Sequence, residues 1–265
     1  MKKNYTHSQR AIYTLLLFLA TIGLNAQVST YSFSQSSSTY TPLTGGSIIG
    51  APSNDDQRFV DPSAPAGGGT ATGVGFPIGF PFTYNGIVFD RFAVDYNGWI
   101  SLGQSSLTPS VDLSTYSQYG CLSSTTVTTP PLLRNRIAGI ARDLEGQSGS
   151  TITVQTLGTT PNQVCVIEWA GVRRYGDSDT LNFQIRLYET TNVVEVQYGN
   201  IVFDGSDNNT GSQAPEIGLG GTVPTDYNNR VTTTNWNSTT SGANNVLGCE
   251  VNTGVIYPIS GTTFD

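Results

Sequence analysis

Past Ala26 the sequence contains no histidine and no lysine; His7, Lys2 and Lys3 all precede that point. Without imidazole, Ser-His-Asp and Cys-His nucleophilic catalysis are excluded, as is zinc held by histidine. Without a side-chain amine, Schiff-base chemistry is excluded too. Charge of either sign is scarce: Asp, Glu, Lys and Arg make up 12% of the chain, against about 25% in ordinary soluble domains. After residue 26, nine arginines face nineteen acids, a net charge of −10. Nucleic acid and anionic lipid surfaces are therefore poor partners.

Cysteine is also rare. Cys121, Cys165 and Cys249 allow one disulfide and one leftover thiol. Cys165 sits in the strand-like "QVCVIEW", on the same side as Ile167 and Trp169, and reads as a small buried hydrophobe. Cys121 and Cys249 lie in polar surroundings and are expected to form the bridge.

Long apolar runs are absent after the first 26 residues. Before that point, Lys2, Lys3 and Arg10 precede "AIYTLLLFLATIGL" (Ala11–Leu24) and then "NAQ". A basic start, a short apolar run and a small residue predict a secretory signal peptide cleaved after Ala26. The run is shorter than the ~20 residues a membrane span needs. The remaining 239 residues, Gln27 to Asp265, suit a single module.

Alternation dominates what remains. Phe80, Phe82 and Tyr84 alternate up to Asn85-Gly86, and Trp99 and Ser101 follow Asn97-Gly98. Each Asn-Gly predicts a two-residue type I′ hairpin, which needs positive φ at both positions. "TITVQTL" (Thr151–Leu157), "QVCVIEWAGVRR" (Gln163–Arg174), "TLNFQIRLYE" (Thr180–Glu189) and "VVEVQYGNI" (Val193–Ile201) read as further strands. Phe183, Ile185 and Leu187 share one face, and Asn182, Gln184 and Arg186 the other. Such strands predict antiparallel sheets with one face toward water. Pairing their apolar faces gives an all-β, two-sheet, jelly-roll-like β-sandwich with long polar loops. The tracts Val28–Gly46, Ala51–Gly73, Gln104–Pro131 and Asn228–Asn245 are expected as those loops.

Few residues offer chemistry. Carboxylate pairs serve glycosidases without histidine, and Asp143 with Glu145, or Asp177 with Asp179, could do so. Arg134, Arg136 and Arg142 lie near the first pair in sequence and favour simple ion pairing. "DGSDNN" offers oxygen ligands for calcium through Asp204, Asp207 and Asn208, without the spacing of a known calcium loop. Tyr227 and Trp236, in polar sequence, could stack on a glycan or pack beneath their own loops. Trp99 and Trp169 alternate with core positions and should be buried. Arg173-Arg174 could hold an acidic sugar or form an exposed strand end.

The series "IGFPFTYNG", "YNGWISLG", "IAGIARDL", "PNQVCVIEW", "NFQIRLYETTNVVEVQYG" and "EIGLGG" resembles the repeated extracellular module of secreted and surface proteins of the Bacteroidota. That module is similar in pattern to nidogen-type domains. The resemblance implies a β-sandwich exported across the outer membrane, often by type IX secretion, beside neighbouring modules in a longer chain. It brings no catalytic residues with it. The expected role is non-enzymatic: a cell-surface adhesion module that contacts an extracellular glycan or protein, with calcium the one plausible cofactor. A polysaccharide hydrolase and a purely structural spacer are the rivals.

Overall fold

The computed structural model describes residues 27–50, 57–60, 65–67, 71–106, 111–113, 122, 135–204, 215–223, 225–232, 235–242 and 258–265. Strands are numbered in chain order. The first sheet contains β1 (Gln35–Ser37), β2 (Ser47–Gly50), β11 (Leu144–Glu145), β12 (Thr151–Leu157), β13 (Val164–Arg174), β14 (Leu181–Tyr188), β15 (Val194–Tyr198) and β19 (Thr262–Phe264). Its order is β1-β19-β15-β14-β13-β12-β2, with β11 beside the end of β13. The second sheet contains β3 (Gln57–Phe59), β4 (Pro65–Gly67), β6 (Phe76–Tyr84), β7 (Ile87–Asp95), β8 (Trp99–Gly103), β10 (Arg136–Ala141), β16 (Glu216–Gly220), β17 (Tyr227–Val231) and β18 (Thr240–Ser241). Its order is β18-β17-β16-β10-β8-β7-β3-β4, with β6 on β7. A separate pair joins β5 (Ala71–Gly73) to β9 (Val111–Leu113). All pairings are antiparallel, and the two large sheets pack face to face as a β-sandwich.

The alternating residues fill the space between the sheets. Cys165, Ile167, Trp169, Phe183, Ile185 and Leu187 come from the first sheet, and Phe80, Phe82, Tyr84, Ile100 and Ile137 from the second. Trp169 stacks on its cross-strand neighbour Phe183 at 4.8 Å between ring centroids. Stacked rings of this kind add about 1 kcal/mol beyond their buried area. Two tyrosines bring their polar ends to backbone acceptors across the core. Tyr198 Oη donates to Gly139 O (2.7 Å) and Tyr84 Oη to Gly220 O (3.0 Å).

The two Asn-Gly turns differ. Asn85 and Gly86 both have positive φ, 51° and 71°, as a type I′ turn requires. Tyr96-Asn97-Gly98 is instead a three-residue loop, since Asp95 pairs with Trp99 and only Gly98 has positive φ (85°). Asn97 is spared the strained conformation and is fully buried. Its Oδ1 accepts from Leu144 N (2.7 Å) and its backbone oxygen from Arg142 N (3.1 Å). A Cβ on Gly98 would lie 2.0 Å from Ile140 O, so glycine is the residue that fits there.

One row on the polar face of the first sheet is buried, although alternation placed that face toward water; Asn182 and Arg186 on the same face remain partly exposed. Thr263, Gln197, Gln184, Glu168 and Thr153 form one cross-strand row over β19, β15, β14, β13 and β12. The chain between β1 and β2 crosses this row and covers it. Gln197 Nε2 donates to Thr39 O (3.1 Å) and Gln184 Nε2 to Thr41 O (2.9 Å). Glu168 accepts from Tyr40 Oη (2.7 Å), Leu43 N (3.2 Å) and Gln184 Nε2 (2.8 Å). The Tyr40 ring lies on Gly199, where a Cβ would come within 2.7 Å of it. Alternation shows which side is apolar, but not whether the polar side meets solvent.

The outer face of the second sheet carries charges instead. Arg58 pairs with Asp95 at 3.3 Å, both almost wholly buried. The Arg136 guanidinium lies 4.2 Å from the Trp99 ring centroid, a cation–π contact. Glu216 accepts from Leu122 N (2.7 Å) and Asn229 Nδ2 (3.1 Å). Burial holds the Arg136 guanidinium down to about 10 against the pull of Glu216 and Asp95. Burial likewise holds the Glu216 carboxyl above its ordinary value, although Arg136 opposes this. Arg136 therefore belongs to this face and not to the Asp143–Glu145 segment.

Candidate functional site

Two hairpin tips meet at one end of the sandwich. Asn192, in the turn between β14 and β15, has φ 53° and accepts through Oδ1 from Thr83 N (2.7 Å) beside the Asn85-Gly86 turn. The N-terminal segment runs across this junction. Tyr31 Oη accepts from Asn85 N (2.6 Å), Tyr31 O accepts from Asn228 Nδ2 (3.0 Å), and the Tyr31 ring meets Tyr84 edge-on. Ser34 and Asp265 exchange backbone hydrogen bonds at 2.9 and 3.0 Å.

Between these parts lies a groove of about 700 Å³. Its walls include Phe33, Val194, Val196, Ile217, Leu219 and Phe264, with Arg230 and Asp265 its charged lining residues. The Arg230 guanidinium lies 3.8 Å from the Phe33 ring centroid. It donates to Thr239 Oγ1 (3.2 Å), Thr239 O (3.1 Å) and Ser241 Oγ (3.1 Å), all neutral acceptors. Partial burial lowers its affinity for the proton. Asp265 Oδ2 accepts from Ser34 Oγ (2.9 Å). Sequence reasoning missed this site because it placed Val28–Gly46 and Asn228–Asn245 wholly in loops. The structure draws β1 and β17 from those tracts. The alternation of Tyr31, Phe33 and Gln35 was the available signal.

The acids named from the sequence lie elsewhere. Glu145 is opposite Arg173 in the β11–β13 ladder and 3.2 Å from its Nε. Glu145 also accepts from Gly176 N (2.8 Å). Its partner is thus Arg173, not an arginine of the Arg134–Arg142 stretch. Asp143 is buried, and the intervening Leu144 points into the core. Arg174 is fully buried, not an exposed strand end. It pairs with Asp177 (3.2 Å), with Asp179 through two nitrogens, and with Asp204 (3.6 Å). The guanidinium occupies the centre on which these three carboxylates converge. Asp204 also accepts from Ser178 N (2.7 Å). Asp207 and Asn208 lie outside the described residues, as do Cys121 and Cys249. Among the described residues no group of three or more Asp, Glu, Cys or His side chains is arranged to hold a metal.

The two loop aromatics do not form one platform. Trp236 is 3% exposed and packs edge-on against Phe264 in the main core, the alternative placement beneath its loop. Tyr227, partly buried, packs against the separate cluster around Trp99. Trp99 and Trp169 are buried as expected. Cys165 is a free, buried thiol, pushed by burial up to about 12.

Fold and groove together define a β-sandwich module whose groove is mostly apolar. The model of the family described as NIDO related matches residues 30–263, and the chain belongs to that family. Domains of this kind are typical of extracellular proteins. No curated protein and no solved structure matches the chain. Among the described residues, no helix is long and apolar enough to cross a membrane.

Proposed function

We propose that the chain is a secreted, non-enzymatic surface module that makes contact with an extracellular glycan or protein. One observation supports this above others: acids suited to catalysis are committed to structural partners. Glu145 is tied to Arg173, and Asp177, Asp179 and Asp204 surround Arg174. A general acid needs a carboxyl whose proton is free to move at working pH. A carboxylate bonded to an arginine guanidinium is fixed in place by those bonds. The leader-like first 26 residues and the lack of histidine and lysine beyond them agree with a role in recognition outside the cell. Type IX export in the Bacteroidota belongs to the same reading.

The test is a screen of the purified protein against a glycan array and a panel of matrix proteins, with and without calcium. Saturable binding to one class is expected. Binding to neither would overturn the contact role in favour of a spacer.

A further inference from the structure

We propose that the groove at the hairpin end binds a small amphiphilic carboxylate, its apolar body between Phe264 and Leu219 and its head on Arg230. This goes beyond the macromolecular contact role. The volume of about 700 Å³ falls within the roughly 300–1,000 Å³ of small-molecule sites, which are mostly apolar with a few placed polar groups. Aliphatic and aromatic side chains dominate the walls, which suits a hydrocarbon better than a sugar.

An extended peptide fits less well. The wall residues Val196, Ile217, Arg230 and Phe264 lie on β15, β16, β17 and β19, and each of these strands is hydrogen-bonded on both sides. None offers an edge for an added strand, which is how an extended peptide gains its main-chain affinity.

Arg230 specifies the sign of the head group. Arg58, Arg173, Arg174 and Arg186 each have a carboxylate within salt-bridge distance. Among the described residues, Arg230 gives its hydrogen bonds to the neutral oxygens of Thr239 and Ser241. Its planar fork carries more donors than these three bonds use. Its guanidinium lies over the Phe33 ring, a cation–π contact that helps hold the fork in place. Nε has spent its one donor on Thr239, and one N–H remains on each Nη for a carboxylate oxygen. Asp265, the other charged residue of the lining, is engaged by the Ser34 hydroxyl, which leaves Arg230 as the cationic anchor among the lining residues.

The experiment uses the full chain expressed in a secreting host, titrated by calorimetry with sodium dodecanoate below its micelle concentration. Dodecanol serves as the uncharged counterpart. Saturable binding of one dodecanoate is expected, with a change in the fluorescence of Trp236, which packs on Phe264. Arg230→Gln should weaken dodecanoate about tenfold, because glutamine keeps a donor but loses the charge, and leave dodecanol unchanged. Leu219→Glu should abolish both, with thermal unfolding confirming that the variant is folded. The wild-type titration stands whichever variant folds. No saturable binding to wild type would overturn the proposal. So would equal weakening of both ligands by Arg230→Gln. Displacement of dodecanoate by an acetylated apolar hexapeptide amide, with dodecanol inert, would assign the groove to peptide and overturn it too.

Discussion

The two outer faces of the sandwich answer one problem with different chemistry. Each carries polar side chains on the side of a sheet away from the core, and on each a set of them is buried. On the first sheet the row is neutral apart from Glu168, and the chain between β1 and β2 satisfies it with backbone and hydroxyl groups. On the second sheet the buried groups include full charges: Arg58 with Asp95, and Arg136 near Glu216 over Trp99. A neutral row tolerates a missing partner at the cost of one unmet hydrogen bond. A buried charge that loses its partner bears the whole desolvation cost. The second face should therefore be the more brittle.

The largest effect is expected from Arg136→Ala, which leaves Glu216 in place without its nearby cation. It should cost about 3–5 kcal/mol in urea unfolding. A loss below about 1 kcal/mol would erase the distinction between the faces. Glu168→Ala should cost about 2 kcal/mol, because Tyr40, Leu43 and Gln184 lose a shared acceptor. Hydrogen exchange at the Leu43 amide should quicken in that variant. If Glu168→Ala proved the costlier of the two, the order of the faces would be reversed.

A pH series sharpens the same contrast. Burial holds the Glu216 carboxyl above its ordinary 4.5, so the folded protein binds that proton more tightly than the unfolded chain. Its contribution to stability is complete below the unfolded value and is lost as pH rises through the folded one. Wild type should therefore lose stability relative to Glu216→Gln between pH 4 and pH 7. A difference in urea midpoint that stays constant over that range would remove the charge from the account. The smallest effect concerns the core shared by both sheets. Cys165, fully buried and with its thiol raised, should stay unmodified by iodoacetamide at pH 8 in the folded protein. Peptide mass mapping would detect labelling there.

The strands were legible because period-two alternation is a local signal. β12 appears with the bounds read from "TITVQTL", and β6 alternates buried and exposed along its whole length. The Asn85-Gly86 turn was legible for the same reason. Asn97-Gly98 was not, since the number of loop residues depends on how β7 and β8 register, which no dipeptide encodes. The covered row on the first sheet was hidden because its lid is a Ser/Thr-rich stretch that looks like any solvated loop. The groove was hidden for a related reason. Phe33, the β16–β17 hairpin with Leu219 and Arg230, and Phe264 are far apart in sequence and meet only when the sandwich closes. Ion pairing was foreseen in kind but not in partner. Glu145 chose Arg173 through cross-strand register, and sequence proximity had pointed to the Arg134–Arg142 stretch.

The claim that this module recognises ligands and does not cleave them is tested most directly by assaying the purified protein against a panel of polysaccharides for release of reducing ends. The account predicts no product above the blank from wild type. Turnover that disappears in the Asp143→Asn/Glu145→Gln double variant would contradict it.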